Sequence, residues 1–276
     1  MPLLPCRTPE IFQFNTVAEA CACINVFAKH NLLIKVMDAI DQAVTLFPAQ
    51  AVQFLAFAYD FYLQQKDASR YHLYQERIFD FGIKPGDAVL DIGSGHIPFP
   101  LATHLADISV SDGSIGRAGA AFKRLDGREV YECPVERTPF ADKQFDFVYC
   151  SHVLEHSTNP AKACAELMRV AKRGYIETPT RGKDVFLASA TPSHHTNAVE
   201  LRGGVLTFFP YSPEEIAGLR VDILQQMHSA PQTDREKAFS SLLYLYPRAV
   251  NTMLLWDTDF CYDVAGEPTD KEGQHD

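Results

Sequence analysis

Several things are missing from this chain, and each absence excludes something. No run of about 18 apolar residues occurs, so no membrane-spanning helix is expected. The opening Met1-Pro2-Leu3-Leu4-Pro5-Cys6 has no basic segment followed by an apolar core, so no signal peptide is expected. Basic residues are in deficit: 25 Lys and Arg against 35 Asp and Glu leave a net charge of -10. A polyanion would need a local basic groove, which disfavours duplex DNA or RNA as a substrate. The seven cysteines form no zinc-type pairs, and Cys21-Ala22-Cys23 is too tight for an ordinary disulfide or CxxC site. Reduced, mostly buried thiols in a cytoplasm are the simple expectation. There is no internal repeat and no low-complexity stretch. What is present is ordinary: 276 residues, 46% hydrophobic and 22% charged, enough for one large domain or one domain with an appended substructure.

The first 80 residues read as helical. Leu32, Leu33, Val36, Met37, Ile40, Val44 and Phe47 recur at helical spacing, with Asn31 as a cap and Pro48 as a stop. Aromatics follow in residues 52–62 and 71–81, and core packing is the plain reading of them. From Pro85-Gly86 the pattern changes to short apolar runs separated by helical stretches. Strands are expected over residues 88–92, 108–112, 128–132, 145–151 and 175–178. Helices are expected after Pro98, near residues 116–125 and over residues 160–172. Asn159 caps the last of these and Pro160 occupies its first turn. Such alternation predicts an α/β fold with a mostly parallel sheet and helices on both faces. Beyond it, Gly203-Gly204 marks a hairpin between residues 198–201 and 205–209. Residues 213–224 and 234–245 look helical, and residues 259–264 suit a last edge strand.

The most informative segment is Val89-Leu90-Asp91-Ile92-Gly93-Ser94-Gly95-His96-Ile97-Pro98. Glycines after a strand let the backbone approach a ligand where a Cβ would clash. The carboxyl end of a parallel strand is where open α/β sheets bind small molecules. The third glycine of the dinucleotide fingerprint is missing, because Ile97 and Pro98 stand there, and this disfavours NAD or FAD. Asp112, read as the end of the second strand, offers a carboxylate to a ribose diol. Taken alone it is equally a turn aspartate in Ser111-Asp112-Gly113-Ser114.

Three segments in order make the chain resemble class I S-adenosylmethionine-dependent methyltransferases of the methyltransferase type 11 group. They are VLDIGSG (residues 89–95), VSDGS (110–114) and RTPFADKQFDFVYCSHVLEH (137–156), the last followed by LMRVAKRGYIETP. The resemblance covers roughly residues 71–180. It implies a Rossmann-like class I methyltransferase fold over residues 81–265, a helical N-terminal extension over 1–80 and a polar tail over 266–276. The extension reads as a lid, as a cover for one sheet face or as a homodimer face. The cofactor implied is S-adenosyl-L-methionine. Asp91, Gly93, Ser94 and Gly95 would line its methionine end, and Asp112 would hold its ribose. Val135 and Glu136 lie where the family's chain passes the adenine, although Pro134 stands where many relatives carry an acidic residue. Ser151 and His152 would sit beside the sulfonium, and Tyr71 would close over the amino-acid end. Phe145 and Asp146 are given structural roles, in packing and in a turn.

Transfer of an activated methyl is an in-line displacement, so positioning supplies much of the rate. A base is needed only where the acceptor must shed a proton. His152 and His156 are the catalytic candidates, with Glu155 beside them; alternatively His152 orders the loop or packs on the cofactor, and Glu155 and His156 form a structural pair that seats the next helix. His194 and His195 suit a pocket rim. Adjacent histidines rarely chelate one ion and no third ligand is apparent, so no metal is expected. The resulting expectation is a methyltransferase acting on a small-molecule or saccharide- or lipid-linked acceptor by O- or N-methylation. The alternatives are a catalytically silent cofactor-binding scaffold and a nicotinamide-dependent oxidoreductase.

Overall fold

The structure is a computed structural model, and it describes residues 69–186 apart from 116 and 118, then 194–218 and 234–266, with 63 and 232 as isolated positions. The helix expected over residues 32–47, the aromatics of 52–62, the end of the 213–224 stretch and nearly all of the tail lie outside the described residues.

A six-stranded sheet carries the fold. Its strands are β1 (Val89–Ile92), β2 (His104–Asp107), β3 (Glu129–Glu132), β4 (Phe147–Ser151), β5 (Arg173–Pro179) and β8 (Asn251–Asp257), in the order β3-β2-β1-β4-β5-β8. All neighbours are parallel except β8, which runs antiparallel to β5 from Arg173↔Asp257 to Pro179↔Asn251. A second sheet joins β6 (Asn197–Arg202), β7 (Val205–Pro210) and β9 (Tyr262–Val264). The central strands β1 and β4 are buried on both faces, as central parallel strands must be, whereas the edge strand β3 is partly exposed. Period-two alternation sorts their side chains into two cores. On one face Leu90, Ile92, Val148, Cys150 and Ile176 pack against Ala163, Cys164, Leu167 and Val170 and against Val199, Leu206 and Phe208 of the small sheet. On the other, Val89, Leu105, Phe147, Tyr149 and Tyr175 pack against Leu73, Tyr74, Phe81 and Phe99.

The helices are a short α1 (Glu76–Ile78), α2 (Pro160–Val170), α3 (Arg181–Phe186), α4 (Pro213–Gly218) and α5 (Asp234–Leu245). The expected capping of α2 is present, since Asn159 accepts a hydrogen bond from the Lys162 N–H at 3.0 Å. The expected structural roles of Phe145 and Asp146 hold as well. Phe145 is fully buried, and Asp146 accepts from the Ala88 N–H at 2.9 Å and from Lys172 at 2.7 Å.

Two expectations fail between β1 and β3. The second strand is not residues 108–112 but His104–Asp107, and Ile108 is 56% exposed. Among the described residues, neither the segment after Pro98 nor residues 116–125 form a helix. Pro98 and Pro100 bracket Phe99 and remove two backbone donors, so the connection crosses as turns and reaches β2 early. β2 then stops because the Asp107 carboxylate bonds the Ser109 N–H at 3.1 Å, a local turn that competes with the ladder.

Candidate functional site

The carboxyl ends of β1, β2, β4 and β5 converge, and the loops leaving them hold the polar groups. After β1 the chain turns through Gly93 and Gly95, whose φ values are +73° and +56°. Both lie in the left-handed region that glycine enters without strain. The Gly93 and Ser94 N–H groups both donate to the Ala106 carbonyl, at 2.8 and 3.0 Å, which pins the turn to β2. A Cβ on Gly93 would lie 2.0 Å from Val153 Cγ2, so what demands glycine here is the chain's own packing against the loop after β4. Asp91 is buried at the end of β1, with one carboxylate oxygen accepting from the Phe99 N–H at 2.7 Å. Burial pushes its pKa up to about 7, with the hydrogen bonds it accepts opposing that rise.

The structure corrects the placement of Asp112. It does not end a strand; it is exposed in a turn where its carboxylate accepts from the Ser114 N–H at 2.8 Å and the Ser114 hydroxyl at 2.7 Å. Those hydrogen bonds lower its pKa. The acid that closes β2 beside the glycine turn is Asp107, which is buried and accepts from the Gly95 N–H at 2.9 Å. Its other oxygen pairs with Arg117 at 2.9 Å, and that guanidinium also donates to the carbonyls of Ser109 and Asp112. The pattern of apolar residues at 108 and 110 drew the reading five residues too far; the two prolines ahead of β2 were the signal for an earlier start.

Val135 is buried with the core, and the Glu136 carboxylate accepts from the Ser157 hydroxyl at 2.6 Å. The Cys133 N–H donates to the Asp107 carbonyl at 2.9 Å, so this loop does pass the end of β2. Tyr71 packs its ring on Phe81 and Phe99, at 5.5 and 5.2 Å between centroids, and borders a cavity of about 460 Å³ with Arg77, Phe79, Asp80 and Leu101. The residues of its π-helical turn (Tyr71–Gln75) that meet the polar end of β5 are Tyr74 and Gln75. Such turns often occur at functional sites.

Their target is Glu177, which sequence reasoning did not single out. It is fully buried on β5 beside Ser151 and accepts from Tyr74 and Tyr175 hydroxyls, both at 2.5 Å, and from the Gln75 amide at 2.9 Å. Ser151 itself is buried at the end of β4. His152 follows it with φ +58°, an uncommon conformation for a residue with a side chain, and its N–H donates to the Glu177 carbonyl at 2.7 Å. Its ring lies between two buried carboxylates, Nδ1 3.3 Å from Glu155 and Nε2 3.3 Å from Glu177. Burial alone would raise the Glu177 pKa, but His152, Tyr175 and Tyr74 outweigh it and hold the carboxyl at about 2.

Glu155 and His156 sit on a 3-10 turn (Leu154–His156), and the start of β6 is stitched to it. The Thr196 N–H donates to the Glu155 carbonyl at 2.8 Å, and the Asn197 amide donates to the Ser157 carbonyl at 2.8 Å. This brings His195 against His156, with ring centroids 4.7 Å apart. His194, by contrast, is exposed and contributes its carbonyl. Lys183 on α3 donates to Asn251 at 2.8 Å, and burial pushes its pKa down to about 8 against the pull of Glu177 and Asp184.

With that geometry in view, residues 90–176 match the family model described as a methyltransferase domain. That match covers about a third of the chain, and S-adenosyl-L-methionine is the cofactor it implies. Among curated relatives, it is 28% identical over 137 residues to a sterol 24-C-methyltransferase of Gibberella zeae, covering 46% of this chain and 35% of that protein. It is 35% identical over 95 residues to the demethylmenaquinone methyltransferase of Renibacterium salmoninarum, covering 34% of this chain and 40% of that one. A solved SAM-dependent methyltransferase from Aquifex aeolicus is 22% identical and overlaps 44% of this chain and 71% of its own, with a TM-score of 0.30. The chain spans well under half the length of the curated relatives it matches. Among the described residues, no helix is long and apolar enough to cross a membrane.

The residues present fit the cofactor. Two buried carboxylates, Asp91 and Asp107, stand at the carboxyl ends of adjacent strands beside the glycine turn.

Proposed function

We propose that the protein is an S-adenosylmethionine-dependent methyltransferase acting on a small-molecule acceptor. The single observation that carries the reading is the turn Gly93-Ser94-Gly95 locked to Ala106 and Asp107 at the carboxyl ends of β1 and β2. The matched methyltransferase domain spans the same residues. When bound, the cofactor supplies a methyl already activated on a cationic sulfur.

The chain's own residues then bind and orient. The turn and Asp91 receive the amino-acid portion, Asp107 receives the ribose hydroxyls alongside Arg117, and residues 133–136 border the base. Ser151 and His152 close the end of β4 toward the acceptor. The His152 ring stands 3.3 Å from both Glu155 and Glu177, which suits positioning, the dominant requirement of an in-line displacement. Where the acceptor sheds a proton, His152 and His156 are the groups within this network that take it. The curated relatives are named for sterol and quinone methylation at carbon. The acceptor atom in this protein is therefore sought among oxygen, nitrogen and carbon.

The test is to incubate the protein with S-adenosyl-L-methionine carrying a heavy methyl and a panel of phenolic, quinol, sterol, saccharide and amine acceptors. Product is followed by mass spectrometry. A labelled product with stoichiometric S-adenosyl-L-homocysteine supports the proposal. Tight cofactor binding with no product from any acceptor leaves a binding protein and overturns it.

A further inference from the structure

Glu155, His156 and His195 each bring one metal-ligating atom within 4.8 Å of the others. Three features make this a built cluster. Glu155 is 1% exposed, yet neither carboxylate oxygen has a hydrogen-bond partner among the described residues; the ring nitrogens nearest it are His152 Nδ1 at 3.3 Å and His156 Nε2 at 3.9 Å. A buried carboxylate whose charge faces only these ring nitrogens is disposed to take a cation beside it. Next, both histidines are oriented by an acceptor on the far ring nitrogen. His156 Nδ1 faces the His194 carbonyl at 2.9 Å, and His195 Nδ1 faces the Asp184 carboxylate at 2.9 Å. That leaves Nε2 of each ring as its donor atom. Metal-bound histidines are held in this way, by a carbonyl or carboxylate behind the ring. Asp184 is in turn anchored by the Tyr211 hydroxyl at 3.1 Å. Finally, the two chain segments are tied together by Thr196 and Asn197, so the rings are brought to one place by backbone and not by chance rotamers.

We propose that Glu155, His156 and His195 bind one divalent transition-metal ion of the zinc class, with Asp184 and the His194 carbonyl orienting the two rings. Nitrogen and oxygen ligands at about 2.0–2.2 Å suit this ion, and three protein ligands leave a coordination position open. Tetrahedral ligands lie about 3.4 Å apart at such bond lengths, so the widest separation in the cluster closes by up to about 1.4 Å on binding. Among the described residues no cysteine belongs to the cluster: Cys133, Cys150 and Cys164 are buried outside it and Cys261 is exposed. The site begins three residues beyond His152, on the loop that leaves β4. A bound ion there offers its open position to an oxygen or nitrogen of a small molecule. His156 is then a ligand and not a base. The inference rests on this cluster alone; where it holds, the proton of an acceptor in methyl transfer falls to His152.

The test uses the full chain, stripped with a chelator and titrated with Zn2+ by calorimetry and with Co2+ by absorption spectroscopy. One ion per chain is expected, with a Co2+ spectrum of nitrogen and oxygen ligation and no thiolate charge-transfer band. His195→Ala and Glu155→Gln are expected to abolish stoichiometric binding, and Asp184→Asn to weaken it about 10–100-fold. Cys261→Ser should bind as the wild type does. Substoichiometric uptake by the wild type overturns the proposal, and so does a thiolate band. Unchanged affinity in a folded His195→Ala variant also overturns it. Should that variant not fold, the wild-type stoichiometry and Co2+ spectrum decide alone.

Discussion

Replacing Gly93 by alanine tests how the glycine turn is built. Two costs follow from the structure. Gly93 has φ +73°, and an L-residue there pays about 1–2 kcal/mol. The new Cβ would also sit 2.0 Å from Val153 Cγ2, where carbon atoms settle at about 3.5–4.0 Å. Forcing the loop after β4 aside adds about 1–3 kcal/mol, the usual penalty for overpacking. Gly93→Ala is therefore expected to cost about 2–5 kcal/mol. Val153→Ala removes the offending methyl and leaves only Val153 Cβ, at 3.3 Å from the added carbon. In that background the alanine should cost only the backbone part, about 1–2 kcal/mol. Urea denaturation of the wild type, both single variants and the double variant gives the coupling energy directly. A coupling of about 1–3 kcal/mol is expected. Additivity within about 0.5 kcal/mol would refute the reasoning, since the two residues would then not be in contact.

Three further outcomes are expected. Asp107→Asn should weaken S-adenosyl-L-homocysteine binding about 10–100-fold, as loss of hydrogen bonds to a charged group does, whereas Asp112→Ala should leave the dissociation constant within about twofold; calorimetry of both variants decides, and the reverse ranking returns the ribose to Asp112. With its carboxyl pushed up to about 7 by burial, Asp91 is largely protonated at pH 6. The α-ammonium of the ligand's amino-acid portion favours the ionised form, so affinity for S-adenosyl-L-homocysteine should rise as pH climbs from 5.5 through 7 and level off above, while Asp91→Asn flattens that profile; an unchanged slope in the variant removes Asp91 from the linkage. Glu166 is held at about 2, because Arg169 and Thr138 outweigh the upward push of burial. A depressed carboxyl contributes stability above its ordinary value of 4.5 and loses it as pH falls toward about 2. Arg169 is 33% exposed, so solvent screening trims the effect, and Glu166→Gln should cost about 1–2 kcal/mol at pH 7 and nothing near pH 2. A constant difference across that range in thermal melts would contradict the assignment.

Local signals in the sequence carried most of the fold. A strand ending in Gly-Ser-Gly, Asn159-Pro160 ahead of an amphipathic stretch, and Gly203-Gly204 between two apolar runs each specify their element without help from elsewhere. β1, α2 and the β6–β7 hairpin accordingly lie within a residue or two of expectation. What escaped depended on distant partners. β8 was not foreseen, because Asn251–Asp257 becomes a strand by pairing along its whole length with β5. β2 was displaced because Ile108 and Val110 offered an attractive alternation while the residues that end the strand, Asp107 and Ser109, act through a side-chain bond. The site divides in the same way. The glycine turn was visible as a motif. Glu177 looked like a strand end in Ile176-Glu177-Thr178-Pro179, and only the fold brings Tyr74 to it from 103 residues away. His195 found no third ligand in sequence because its neighbours His156 and Glu155 come from another loop.

The central claim is that the turn after β1 and the acid closing β2 hold the methyl donor. A crystal structure grown with saturating S-adenosyl-L-homocysteine tests it most directly. The account predicts the nucleoside lying over Gly93-Ser94-Gly95 with its ribose hydroxyls on the Asp107 carboxylate. Density for the compound elsewhere, or none at that crevice, would contradict it.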